Sequence, residues 1–280
     1  MAIFDQAVNQ WLLSLITSTA LFKVAAFFSA WAALWLPLAI PIATWLKWRP
    51  PKPMAAEQKL PLLAALYLVA PLILWGASWV DGASFSDYGL DWKLSVLVSL
   101  GLGLGLGILS LTIIFTGQWI VGWIEWHSEN WQRLGQVWLP VLLLGLWIAV
   151  IEELVFRGFL LNELSQDYSL WVAAAISSII FALLHLLWEQ KDTLPQLPGL
   201  WLMGMVLVLA RWVDGGNLGL AWGLHTGWIW GLTCLDSAEL ISYTAKGPIW
   251  MTGLGQKPLA GGTGIICLVT TSIFLYWFLG

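Results

Sequence analysis

Charge, cysteine and histidine are what this 280-residue chain has least of. It carries 12 basic and 16 acidic residues, two cysteines and three histidines. Soluble domains run about 25% charged, so the 10% found here could not cover a water-soluble fold of this size. Disordered, collagen-like and disulfide-scaffold chains are excluded too, since they need high charge, a glycine triplet period or abundant cysteine. Cys234 and Cys267 lack CxxC spacing, which removes a cysteine zinc site or disulfide framework. A net charge of −4 argues against nucleic acid as a partner. The first charge is Asp5 and no basic segment precedes the first apolar stretch, so a cleaved signal peptide is not expected.

What is abundant is apolar: 59% of the residues, with 23 Trp and a mean hydropathy of +0.80. Runs long enough to cross a bilayer, around 20 residues each, fall at 24–46, 60–80, 94–115, from about Pro140, 169–188, 197–212, 217–235 and 264–279. The expected fold is therefore all-α, a polytopic membrane protein of about eight transmembrane helices. Residues 8–22 are short for a span and separated from the next only by Lys23, which favours an interfacial helix over a ninth crossing. The chain divides into residues 1–130, with about three spans, and a membrane core at 131–280.

Lys47, Arg49, Lys52 and Lys59 follow the first span, whereas Asp81, Asp87 and Asp91 with a single Lys93 follow the second. The positive-inside rule puts the first loop in the cytoplasm and the second outside. Arg211 falls near the external side, against this trend. Gly101, Gly103, Gly105 and Gly107 form two GxxxG pairs inside a span, which predicts close helix packing.

One span keeps its charges. Glu152, Glu153 and Arg157 follow a long apolar approach and precede Phe159, Leu160 and Leu161. An ionisable group at a helix centre costs about 2.5–3.5 kcal/mol on insertion scales, and such groups are usually functional. Glu153 and Arg157 are four apart and can pair. Glu152 lies about 100° around the helix without a local partner, which suits a general base. His185 and His225 also lie within spans, with Phe181 one turn before His185. If the charged helix reaches Leu164 and 165–169 is a turn, Glu152 and His185 lie within one helical turn in depth, toward the cytoplasmic half. His127, beside Glu125, Glu129 and Asn130, reads as solvated surface.

These residues resemble the motifs of the CPBP family of intramembrane proteases (CAAX protease and bacteriocin-processing, or Abi). Its EExxxR motif matches Glu152, Glu153 and Arg157, and its FxxxH motif matches Phe181 and His185. Its third motif, a His followed four residues later by Asn, matches His225 but finds Ile229 in place of Asn. The resemblance covers roughly residues 140–235. It implies an intramembrane endopeptidase acting on membrane-associated proteins or peptides, prenylated CAAX proteins among them. Glu152 would activate water, Glu153 and Arg157 would orient it, and His185 and His225 would polarise water or the scissile carbonyl. Without the Asn, Trp228 is the nearest substitute N–H for the oxyanion. The residues leave two chemistries open: a metal-independent glutamate mechanism needing no cofactor, which the resemblance favours, or a zinc ion held by Glu152, His185 and His225. The alternative to an enzyme is a catalytically degenerate relative that binds or scaffolds membrane proteins. A proton-coupled transporter is disfavoured, because the halves show no inverted repeat.

Overall fold

A computed structural model describes residues 17–49, 54–188 and 190–280. The segment 8–22 lies largely outside the described residues. Its last residues belong to the first described helix, α1 (Ala20–Trp45), which begins earlier than hydropathy suggests and carries Lys23 inside it. There follow α2 (Ala56–Asp81) and α3 (Leu94–Ile120). Next comes a helix that starts as α4 (Trp131–Glu152), widens into a π-helical stretch at Glu153–Leu160 and resumes as α5 (Leu161–Asp167). The remaining long helices are α6 (Leu170–Leu184), α7 (Leu197–Val213), α8 (Gly219–Ser237) and α9 (Gly262–Phe278). Among the described residues six helical stretches are long and apolar enough to cross a membrane, the last of them 190–213. The other two expected spans, α8 and α9, are helical but not among these six. One small departure from all-α is a two-stranded antiparallel ribbon pairing β1 (Ile124–Trp126) with β2 (Ile241–Tyr243).

The outside of the bundle is apolar. Leu68, Trp75, Leu102 and Ile113 are all exposed on α2 and α3, a surface that suits lipid and would aggregate in water. The inside holds charge: Lys23, Glu153, Arg157, Glu163, Arg211 and His225 are all buried. Lys23 is neutralised at one end of the bundle by Glu163 at 2.9 Å and Asp81 at 3.9 Å. Three helices thereby meet around one cation, in keeping with the rule that buried charges are paired.

Helix α8 is central, packing most extensively on α3 and also on α4 and α7. Glycine makes this possible. A Cβ at Gly103 would sit 2.2 Å from the Leu220 carbonyl oxygen, and one at Gly107 would sit 2.8 Å from that of Leu224. From the facing helix, a Cβ at Gly223 would sit 2.0 Å from the Leu100 oxygen and one at Gly227 2.8 Å from the Leu104 oxygen. The two backbones thus interlock through Gly103 and Gly107 on one side and Gly219, Gly223 and Gly227 on the other. Gly101 and Gly105, the second pair of the sequence motif, meet nothing. The small-residue face on α8, at a strict spacing of four, was not among the sequence expectations, yet it fixes the helix that bears His225.

Candidate active site

Glu152 is the last α-helical residue of α4, and Glu153 opens the π-helical stretch. A π-helix bonds i to i+5 and is found mostly as short bulges inside α-helices, frequently at functional sites. Here it departs from the uniform 3.6-residue period assumed from sequence. Donors from other helices reach its carbonyls: Ser177 Oγ donates to Phe156 O at 2.8 Å, and Arg211 Nη1 donates to Arg157 O. Gly158 lets the loop after α2 close in, since a Cβ there would lie 3.0 Å from that of Tyr88.

The two adjacent carboxylates end in different surroundings. Glu153 is 0% exposed; its Oε1 lies 3.1 Å from Arg157 Nη1 and 2.7 Å from His225 Nδ1. Arg157 is itself buried, donates from Nη2 to the Gly204 carbonyl at 3.2 Å and lies 4.6 Å from the centre of the Phe181 ring. The side chain of Glu152 is 12% exposed, and its Oε2 lies 3.5 Å from His225 Nε2. Its other oxygen accepts a hydrogen bond from Tyr67 Oη on α2. The expectation that Glu152 lacks a partner within its own helix stands, but other helices provide two.

His225 therefore bridges both glutamates, one per ring nitrogen. A carboxylate only accepts, so Nδ1 carries hydrogen toward Glu153.

His185 is placed differently. Helix α6 ends at Leu184, and His185 opens a 3-10 turn to Leu187. Its Nδ1 lies 2.8 Å from the Phe181 carbonyl, which can only accept, so Nδ1 carries the hydrogen and a neutral ring presents Nε2 as a lone pair. Phe181 contacts both imidazoles, at 4.6 Å from His185 and 6.1 Å from His225 between ring centroids. Glu152, Glu153, Arg157 and His225 thus form one polar cluster with Phe181 against it. His185 joins it through Phe181, and among the described residues no hydrogen bond links it to either carboxylate.

Two expectations about ligands and donors meet other arrangements. Trp228 Nε1 donates to Ser110 Oγ on α3 at 3.0 Å; the indole N–H is engaged between helices, so it is not free for an oxyanion. Ile229 is packed toward α4, its Cγ2 within 3.5 Å of a Cβ built on Gly145. A zinc site fits poorly. Both nitrogens of His225 face carboxylates, and among the described residues no group of three or more His, Cys, Asp or Glu is placed to hold a metal ion. His127 is a surface residue as expected, tied to Ser242 and Glu129 at 2.9 and 3.1 Å.

Tyr67, which donates to Glu152, is the member of the cluster that the sequence motifs do not include. The signal was present: a hydroxyl inside an apolar span needs a partner when buried. Arg211, a topological exception in the sequence, is a buried donor to the π-helical stretch.

Fold and cluster together define a helical membrane protein with a buried Glu–His–Arg centre. Residues 134–231 match the family model of type II CAAX prenyl endopeptidase Rce1-like proteins, consistent with a CPBP family intramembrane protease. At the family level this supports a CAAX-type intramembrane protease. A protein of Escherichia coli described as an uncharacterized 24.3 kDa protein is 32% identical over 89 residues, 31% of this chain and 40% of the relative. The chain thus spans well under half the length of that relative. No solved structure matches.

Proposed function

We propose that the chain is an intramembrane endopeptidase that hydrolyses a peptide bond of a membrane-associated protein or peptide, with Glu152 as general base. The observation that carries this is the unequal fate of the paired glutamates. Glu153 is sealed and held by Arg157 and His225, while Glu152 keeps an accessible edge beside an imidazole and a phenol.

Water held by Glu152 loses a proton to the carboxylate and attacks the scissile carbonyl. The same proton then passes to the departing amine, giving a carboxylic acid and an amine. His225, anchored on Glu153, stabilises the charge on Glu152 and holds it in place. His185 presents Nε2 to orient the water or the peptide. With Trp228 engaged by Ser110 and Ile229 apolar, the hydroxyl nearest the base is Tyr67. Once Glu152 takes up a proton its demand on that hydroxyl falls, freeing it to donate to the tetrahedral oxyanion. No step is assigned to a metal, since the donor set does not converge, and no cofactor is required. The substrate class includes prenylated CAAX proteins, and the cluster faces the cytoplasmic half of a multi-pass integral membrane protein.

Purified protein in proteoliposomes, offered membrane peptides from cells lacking it, should generate new termini that Glu152→Ala protein does not. The missing third-motif donor favours one competitor, a degenerate relative that only binds membrane proteins. A cellular phenotype that survives Glu152→Ala would decide for that competitor.

A further inference from the structure

A buried cation without a counter-ion marks a second site. Arg211, on the last turn of α7, is 8% exposed. Its Nε donates to Gly216 O at 2.9 Å, and its Nη1 donates to Arg157 O and, at 3.0 Å, to Asn162 Oδ1. All three acceptors are neutral. Among the described residues no carboxylate lies within ion-pair distance of it, whereas Lys23 and Arg157, the other buried cations, each have one. Buried charges are otherwise paired. Among the described residues Nη2 has no hydrogen-bond acceptor, and the residue lines a cavity of about 390 Å³.

The walls of that cavity are of two kinds. Asn162, Ser165 and Arg211 are polar; Leu161, Leu170 and Val208 are apolar. It lies where α5 and α7 end and α6 begins, at one end of the bundle. Trp212 on its rim meets Trp171 at 6.3 Å, and both are about half exposed. Such tryptophans sit at headgroup level. From there to His185, at the far end of α6, is 15 residues, about 22 Å at 1.5 Å per residue, so the cavity is not part of the catalytic face.

We propose that this cavity binds the phosphate of a membrane phospholipid, with Arg211 Nη2, Asn162 and Ser165 around the phosphate and an acyl chain along Leu161, Leu170 and Val208. The flanking tryptophans and the apolar wall select a lipid over a free anion. Because Arg211 also holds the Arg157 carbonyl, an occupied site stiffens the π-helical stretch that carries Glu153.

The test is thermal unfolding of the full chain in nonionic detergent, titrated with short-chain phosphatidylglycerol. The melting temperature should rise by several degrees at about 100 times the Kd. In Ser165→Trp protein, where an exposed residue at the mouth is enlarged without touching the three Arg211 hydrogen bonds, the rise should vanish. Leu170→Trp narrows the opposite wall and serves if the first variant does not fold. An equal rise with diacylglycerol of the same chain length, with inorganic phosphate alone, or in the blocked variants overturns the proposal. So does no rise in the wild-type protein, or a rise with a peptide bearing a free C-terminal carboxylate in place of one with the lipid.

Discussion

His225 Nδ1 lies 2.7 Å from Glu153 Oε1, inside a bundle where that carboxylate has no exposed surface. The contact joins α8 to the start of the π-helical stretch, and it leaves the other ring nitrogen turned to Glu152. It gives two glutamates adjacent in sequence different surroundings, which the proposed mechanism uses as an anchor and a base, and their substitutions should behave differently.

For the base, Glu152→Gln should lower peptide hydrolysis by about 10²–10⁴-fold, the usual contribution of general acid–base catalysis. Its melting temperature should stay near that of the wild type. Cleavage rates in proteoliposomes alongside thermal unfolding give both numbers, and full activity in the variant would remove Glu152 from the mechanism.

For the anchor, Glu153→Ala should fail through the fold. It strands Arg157, whose guanidinium is buried and lies 3.1 Å from that carboxylate. Breaking one side of a buried pair costs about 3–5 kcal/mol. Yield and size-exclusion profile are the measurements, and a monodisperse, wild-type-stable variant would contradict this role.

Tyr67→Phe isolates the phenol. Loss of one hydrogen bond destabilises by only about 0.5–1.5 kcal/mol, so the protein should fold. Removing an oxyanion donor costs about 10²–10³ in kcat in a well-studied protease, and a fall in kcat of that order is expected with KM little changed. An unchanged kcat would leave Tyr67 with a packing role alone.

Gly223→Ala tests the glycine interlock, because the added carbon would fall 2.0 Å from the Leu100 carbonyl. Overpacking typically costs about 1–3 kcal/mol, and here α8 with His225 must shift as well. Gly101→Ala, whose Cβ meets nothing within 4 Å, should be neutral. Comparing the two by thermal unfolding separates a packing effect from helix propensity.

The small number of charges was sufficient, by itself, to make the chain a helical membrane protein, because a bilayer tolerates no unsatisfied backbone and few ions. The i, i+4 spacing of Glu153 and Arg157 was legible for the same local reason, since one helix contains both partners. Nothing local reveals that Tyr67, 85 residues before Glu152, points at it, nor that Trp228 gives its N–H to Ser110, because those contacts depend on how helices cross. The α3 half of the glycine interlock was visible as a motif, but only the register with α8 decides that Gly103 and Gly107 face it while Gly101 and Gly105 do not. Arg211 shows the difference most clearly. Sequence placed a positive charge at a helix end, and tertiary structure buried it beyond ion-pair distance of every described carboxylate. Composition selects the solvent; the packing of the helices decides which polar atoms meet and which are left seeking a partner.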